Sequence, residues 1–132
     1  LPMAMTGHLV IAAIDDRQPA TTSAKLIAET IRAWMGFNGL LMSDDLSMQA
    51  LTGDLTKRAA DSLAAGCDIA LHCNGDMPEM LAVAAGAVQL EGAAEKRAMR
   101  VIDDLAQVAT VSCDLVAADA ELTDLMAMRD AS

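Results

Sequence analysis

The segment GFNGLLMSDDLSM, residues 36–48, indicates the fold of the whole chain. Two glycines flank a turn, a short apolar run follows over residues 40–42, and the run ends at Asp44 and Asp45. A short run that is apolar on both faces is typical of a buried strand in a parallel sheet. We therefore expect Asp44 at the carboxyl end of a strand, the edge where α/β proteins collect their ligands and catalytic side chains.

The segments on either side alternate between strand and helix patterns. Strands are predicted at 3–14, 39–43 and 67–73, and helices at about 22–35, 57–65, 78–88, 93–111 and 115–129. This βαβαβα order, followed by two more helices, predicts an α/β fold with a parallel sheet. The residues alone leave open whether that sheet is a doubly wound open sheet or part of a barrel.

Length and charge restrict the class of protein. The chain has 132 residues, is 54% apolar, and begins with Leu1 rather than Met. It is shorter than the ~250 residues of a complete (β/α)8 barrel, so we expect a piece of something longer. The net charge of −10 argues against nucleic acid or an anionic membrane as partner, because both attract Lys and Arg. No stretch is long enough to predict a membrane span.

The cysteines predict neither disulfides nor a metal site. Cys67, Cys73 and Cys113 make an odd number, which fits a reducing, cytoplasmic compartment. Cys67 and Cys73 lie at opposite ends of one predicted strand, too far apart to bridge, and both are expected to be buried. His72 and Cys73 are adjacent on that strand and would diverge, and no Cys-x-x-Cys or His-Glu-x-x-His spacing occurs. We therefore predict no metal and no cofactor.

Three segments resemble one family in order and spacing. GFNGLLMSDDLSM resembles the nucleophile motif of the glycoside hydrolase family 3 β-N-acetylhexosaminidases, bacterial enzymes of cell-wall recycling. MTGH at 5–8 resembles that family's Met-Thr-Ala-His strand, and AGCDIALHCN at 65–74 resembles its last barrel strand. The family's Lys-His-Phe-Pro-Gly-His-Gly segment and its Asp-Ser-His loop do not occur in this sequence. The chain therefore resembles the C-terminal half of such an enzyme.

The resemblance implies a fold and a domain organisation. Residues 1–132 would form a single partial domain, the C-terminal portion of a TIM-like (β/α)8 barrel. The last three β/α units would occupy about residues 1–90, and the terminal helices about 93–132. The first and last strands of such a piece would be open edges, and its inner face, with Leu40 and Met42, would be uncovered. We therefore expect self-association of the chain on its own.

The resemblance also implies the roles of individual residues. Asp44 would be the nucleophile of a retaining mechanism; a helix cap or a solvated loop acid is the alternative for this position. Asp45 is not expected to act as the second carboxylate, because neighbouring strand residues point to opposite faces; it would cap the following turn or pair with a basic residue. His8 is expected either to bind the sugar or to hold the nearby backbone. Asn74 would serve a turn.

Two functions of different classes remain. The first is hydrolysis of terminal β-linked N-acetylglucosamine from muropeptides or other N-acetylhexosaminides, with this chain supplying the nucleophile and inactive by itself. The acid/base group would lie outside this chain. The alternative is a non-catalytic, acidic α/β domain that acts in binding or self-assembly. The sequence upstream separates the two, because an Asp-Ser-His loop there would support the enzyme.

Overall fold

The computed structural model describes residues 1–108 and 114–130, apart from the side chains of residues 129 and 130. Its centre is a parallel sheet of three strands, β1 (Met3–Met5), β2 (Leu40–Asp45) and β3 (Ile69–Leu71), in the order β1-β2-β3. The sheet confirms the predicted parallel α/β fold. Each strand lies beside the next one in the chain, so no strand order reverses within the described sheet.

The helices follow the predicted alternation. They comprise a short 3-10 helix (Ala20–Thr22), a π-helix (Leu26–Trp34), α1 (Leu55–Ala65), α2 (Met77–Gly86), α3 (Gly92–Ala106) and α4 (Leu115–Asp130). Asp54 caps α1 by accepting a hydrogen bond from the main-chain N of Lys57, and Asp114 caps α4 in the same way. Local capping chemistry of this kind defines where a helix begins. The start of α4 agrees with the prediction, whereas α1 begins two residues before the predicted residue 57.

Two of the predicted strands are too long. β1 ends at Met5 instead of Ile14, and β3 spans Ile69–Leu71 instead of 67–73. A strand needs a partner for its backbone groups, and β1 pairs with β2 only from Met3 to Met5. Beyond that point the chain leaves the sheet, and Leu9, Val10 and Ile11 are exposed although they are apolar.

The helix before β2, Leu26–Trp34, lies within the predicted range of about 22–35 but is shorter and differs in kind. Ser23 accepts a hydrogen bond from the main-chain N of Leu26 at 3.1 Å, as a capping residue does. The helix is wound as a π-helix, and Met35 N donates to Thr30 O, five residues earlier. A 3.6-residue period predicts that Trp34 and Met35 face the sheet, and this is wrong, since they are 79% and 62% exposed. The wider winding removes both from the stripe that a 3.6-residue period assigns to them.

The core consists of two aliphatic clusters on the helical side of the sheet. One is formed by Ile27, Leu41, Ala65 and Cys67, and the other by Leu46, Leu51, Ala59 and Val83. Leu40, expected on an uncovered face, is buried, and Met42 is half-buried. Met3 and Met5 remain 37% and 51% exposed, so part of the sheet has no apolar cover.

A buried cluster of charged side chains lies directly before β3, around Asp68. Asp68 is 2% exposed at its side chain and contacts Arg32 at 2.8 Å and Arg97 at 2.7 Å. It also accepts a hydrogen bond from the main-chain N of Leu41 at 2.9 Å. One carboxylate therefore joins the π-helix, β2 and α3 at a place that the sequence pattern does not mark.

Candidate functional site

The carboxyl ends of the three strands bring the predicted site residues to one edge of the sheet. Met5 pairs with Met42, and Asp45 pairs with Leu71. His8 therefore follows β1, Asp44 and Asp45 end β2, and His72 follows β3 at the same edge. The predicted strand at 39–43 is longer than expected and includes both acids. A register irregularity between Met42 and Asp45 lies beside them; irregularities of this kind are common next to active sites.

Asp44 is half-buried and held by one hydrogen bond. Its Oδ1 accepts from the main-chain N of Asp45 at 2.8 Å. Among the residues that the structure describes, no donor lies within hydrogen-bond distance of its Oδ2. Ser43, which precedes it, is fully buried and accepts a hydrogen bond from the main-chain N of Leu71 at 2.9 Å. Ser43 thus anchors the strand end, while Asp44 accepts a hydrogen bond through Oδ1 only.

Asp45 differs in that both of its carboxylate oxygens have donors. Oδ1 accepts from the main-chain N of Ser47 at 3.0 Å and from the main-chain N of Cys73 at 3.3 Å. Oδ2 accepts from Ser47 Oγ at 2.6 Å. The Ser47 hydroxyl, first among these groups, lowers the pKa of Asp45. The prediction that Asp45 caps the following turn is confirmed, and the carboxylate also ties that turn to the segment after β3.

His8 uses both ring nitrogens on the protein itself. Nδ1 lies 2.8 Å from Thr21 Oγ1, and Nε2 lies 2.9 Å from the main-chain oxygen of Asp45. A carbonyl oxygen accepts and never donates, so Nε2 carries the proton in this bond. Thr6 Oγ1 lies 2.9 Å from the same Thr21 hydroxyl, so the hydrogen-bond network also includes Thr6, the residue that follows β1. The structural alternative for His8 is therefore present, and sugar contact through the ring edge stays a prediction.

His72 is buried between two acids from two other elements. Its side chain is 5% exposed, and neither ring nitrogen has a hydrogen-bond partner among the described residues. Nδ1 lies 3.8 Å from Asp45 Oδ1, and Nε2 lies 3.5 Å from Glu79 Oε2 in the first turn of α2. Asn74 Nδ2 donates to the same Glu79 oxygen. The imidazole of His72 thus lies between the carboxylates of Asp45 and Glu79.

The remaining predicted residues have structural roles. Asn74 Oδ1 accepts from the main-chain N of Asp76, which confirms the turn. Cys67 is buried as expected, and burial raises the pKa of its thiol to about 11. Cys73 is exposed, so its predicted burial is wrong: it lies beyond the end of β3, where no helix covers it. Cys113 falls outside the described residues.

Metal sites and membrane-spanning helices are both absent from the described part of the chain. Residues 1–108 and 114–130 contain no group of three or more His, Cys, Asp or Glu side chains arranged to hold a metal ion. Within the same ranges, no helix combines the length and the apolarity that crossing a bilayer requires.

Comparison with known proteins identifies the family. The model of the glycosyl hydrolase family 3 N terminal domain matches residues 1–111. The chain therefore belongs to glycosyl hydrolase family 3. The match does not say which part of that domain the chain forms, so a position in the second half of a barrel stays a prediction.

Curated relatives agree with this assignment. A beta-hexosaminidase of Bordetella avium is 40% identical over 76 residues, which are 56% of this chain and 21% of that protein. A beta-hexosaminidase of Alkalilimnicola ehrlichii is 45% identical over 76 residues, 56% of this chain and 22% of that protein. The chain thus spans about a fifth of the length of these relatives.

Solved structures resemble the chain over most of its length. The β-N-acetylhexosaminidase of Beutenbergia cavernae is 28% identical with a TM-score of 0.54, covering 80% of this chain and 29% of that one. The beta-N-acetylglucosaminidase of Thermotoga maritima is 28% identical with a TM-score of 0.57, covering 81% and 25%. A family 3 beta-N-acetylglucosaminidase of Paenibacillus, 22% identical with a TM-score of 0.67 over 87% and 24%, shares the fold.

The sequence pattern does not predict that Ser47 and His72 lie beside Asp45, or that Glu79 lies on the other side of His72. That pattern argues against a metal at His72 and singles out neither Glu79 nor Ser47. The register of β2 against β3 brings His72 next to Asp45. The one sequence signal for this arrangement is that β2 ends in an acid while Thr6 follows β1 and His72 follows β3, since carboxyl ends of parallel strands share an edge.

Proposed function

We propose that this chain supplies the nucleophile half of a retaining β-N-acetylhexosaminidase, with Asp44 as the nucleophile. The observation that carries the proposal is the contrast between the two adjacent acids. Asp45 has both carboxylate oxygens engaged, whereas Asp44 accepts one main-chain hydrogen bond through Oδ1. A nucleophile needs an oxygen that is oriented yet available, and Asp44 meets both requirements at the edge where ligands of α/β folds bind.

The reaction would proceed in two steps. Asp44 Oδ2 attacks the anomeric carbon and forms a glycosyl ester, while the bond to the leaving oxygen breaks and that oxygen takes a proton from a general acid. Water then attacks the same carbon, gives its proton to the conjugate base and releases Asp44. The hydrogen bond from Asp45 N to Asp44 Oδ1 fixes the carboxylate for attack by the other oxygen. Neither histidine of this chain is the proposed acid, which we place outside residues 1–132.

The proposed substrate is a saccharide with a terminal β-linked N-acetylglucosamine. The names of the curated relatives and of the solved structures support the sugar. A muropeptide is the finer proposal, and it rests on the resemblance to cell-wall recycling enzymes. A cytoplasmic location is proposed with it, supported by Cys67 and Cys73, both of which are free thiols.

His8 and the sheet complete the proposal. His8 would contact the sugar with its ring edge while Nδ1 and Nε2 hold Thr21 and Asp45 in place. The sequential strand order β1-β2-β3 supports the last three β/α units of a TIM-like barrel, since a doubly wound sheet reverses direction at a switch point. Residues up to about 90 would belong to those units, and the helices from about residue 93 would close the domain.

The test is to replace Asp44 by alanine in the protein at its full natural length. Turnover of an aryl N-acetyl-β-glucosaminide should fall by about 10⁴–10⁶-fold, the range for removing a nucleophile or its partner in a hydrolase. Asp16→Asn, an exposed loop acid, is the control and should keep full activity. A 2-fluoro glycoside should label Asp44 covalently in the natural protein, with the label located by peptide mass spectrometry. A near-normal kcat in the alanine variant removes Asp44 from this role.

A second candidate function is assembly of this chain with itself. It is favoured by Met3 and Met5 on β1, the outer strand on one side of the sheet, and by Leu9, Val10 and Ile11 directly after it, all at least 37% exposed. An unpaired strand edge beside exposed apolar side chains is a template for another chain. The same feature fits a domain that meets the rest of a barrel, so it does not replace the enzymatic proposal.

A further inference from the structure

The surroundings of His72 fit one charge state of its ring. A neutral imidazole has one N–H donor and one bare acceptor nitrogen, whereas the doubly protonated ring has two donors. Here each nitrogen has a carboxylate oxygen near it, Asp45 Oδ1 at 3.8 Å from Nδ1 and Glu79 Oε2 at 3.5 Å from Nε2, although neither pair forms a hydrogen bond. A carboxylate accepts and does not donate, so either neutral tautomer would turn a lone pair toward an anion. The doubly protonated ring alone offers a proton to both.

Because the His72 side chain is buried, the charge state of its ring affects the stability of this site. The ring is 5% exposed, so a nitrogen without a partner cannot turn to bulk water. An unpartnered buried polar group costs about 1–3 kcal/mol, whereas a charge shared between two carboxylates is stabilised on both sides. Asp45 and Glu79 are the charged groups in contact with the ring among the described residues, and Asn74 further orients Glu79. The contacts of 3.5 and 3.8 Å are charge contacts that small side-chain rotations would shorten into hydrogen bonds.

The same geometry argues against a metal ion. The two carboxylates lie on opposite nitrogens of one ring, so their oxygens do not converge on a common point. This agrees with the absence of a metal-holding group within residues 1–108 and 114–130. The arrangement is that of a bridge between two acids.

We propose that His72 is a positioning residue: its doubly protonated ring bridges Asp45 to Glu79 and so clamps the end of β2 against α2. The effect reaches Asp44 through one residue. Asp45 donates its main-chain N–H to Asp44 Oδ1, accepts from His8 through its main-chain oxygen, and faces His72 with its carboxylate. Fixing Asp45 therefore fixes the orientation of Asp44.

This inference rests on the proposed function for its consequence in catalysis, but the clamp itself can be observed without any substrate. Proton NMR of the protein at its full natural length, at a pH of about 5.5, below the ordinary imidazole pKa of ~6.5, should show two protected ring N–H signals that vanish in His72→Gln. In Glu79→Ala, which removes the acceptor, the Nε2 proton should lose protection while the Nδ1 proton keeps it. Glu79 is 41% exposed, so this variant should fold. Two unprotected ring protons, or signals unchanged in Glu79→Ala, would overturn the clamp.

The catalytic arm compares the kcat and KM of the natural and variant proteins. His72→Gln should lose about 10–100-fold in kcat with a smaller change in KM, in line with the cost of misplacing a reacting group. Glu121→Gln, an exposed acid on α4, should behave as the natural protein. An unchanged kcat in His72→Gln would assign His72 a packing role, and normal N–H signals with an active Asp44→Ala variant would reject the nucleophile while keeping the clamp.

Discussion

At the scale of residues, Asp68 shows how a carboxylate can be buried and still charged. Burial is the largest single influence and acts to raise its pKa, but the hydrogen bonds from Arg97 and Leu41 N, with the charges of Arg97 and Arg32, outweigh it and lower the pKa. Three elements depend on this one side chain, because its partners lie 27 to 36 residues away. Long-range contacts of this kind are invisible to a periodicity argument.

Replacing Asp68 by asparagine should lower the free energy of unfolding at pH ~7 by about 2–4 kcal/mol, since it leaves two mostly buried guanidinium groups without a counter-charge. The measurement is urea denaturation at fixed protein concentration. Asp61→Asn breaks the exposed Lys57 pair and is the matched control, with an expected change below about 0.5 kcal/mol. Equal losses in the two variants would mean that the Asp68 cluster adds no stability.

The same variant has a signed pH dependence. The pKa of Asp68 is lowered in the folded chain, whereas an unfolded aspartate titrates at about 3.9. A lowered folded pKa adds stability above the unfolded value, and that stability disappears as the pH falls through the folded pKa. The difference between the natural chain and Asp68→Asn should therefore be full near pH ~7 and shrink below pH ~4. A constant difference down to pH ~2 would contradict this account.

At the scale of elements, the contact between α1 and α2 depends on a glycine. A Cβ built on Gly86 would lie 2.0 Å from Thr56 O and 3.1 Å from Ala59 Cβ. Thr56 Oγ1 also donates to Ala82 O at 2.8 Å, so the two helices are tied where they approach. The missing side chain, and not backbone freedom, explains the glycine, because its φ is not positive.

Gly86→Ala should destabilise the chain by about 1–3 kcal/mol, as inserting a methyl group into a filled contact does. Helix propensity alone predicts the opposite, a gain of about 1 kcal/mol, so the sign of the result decides between the two effects. Ala85→Gly, at an exposed position of the same helix, calibrates the propensity effect and should cost about that amount. The readout is the midpoint of thermal unfolding, and a raised midpoint in Gly86→Ala would show that the helices do not pack as described.

At the scale of the whole molecule, the sheet has three strands in its described part, with β1 and β3 at its two sides. Their outward backbone groups have no strand to pair with, and apolar side chains near β1 are exposed. The net charge of −10 opposes association at low ionic strength. Edge pairing and apolar contact are short-range, and we expect them to outweigh the charge repulsion once salt screens it.

The 132-residue chain on its own should therefore self-associate at about 0.15 M salt and dissociate partly at low salt. Sedimentation velocity over a range of concentrations measures this. Met5→Lys, which places a charge on the edge strand β1, should shift the distribution toward monomer, and Met99→Lys, exposed on α3, is the control that should not. A compact monomer at all concentrations would show that the edges of the sheet are closed.

Features that depend on neighbours along the chain could be predicted from the amino-acid order. The cap at Asp114, the helix-starting Pro78, the alternation of strand and helix, and Asp44 at a strand end all follow from local chemistry, and the structure contains them. Motif resemblance added the family. A glycine, a cap or a buried apolar run acts within a few residues, so it can be recognised without the fold.

Features that depend on partners far along the chain required the folded molecule. β1 stops at Met5 because pairing with β2 stops there, and Trp34 is exposed because the helix before β2 is a π-helix. His8 and His72 both meet Asp45, at least 27 positions away in sequence, because parallel strands end at one edge of the sheet. The protonation state of a buried ring depends on which acids surround it, and no spacing along the sequence specifies that.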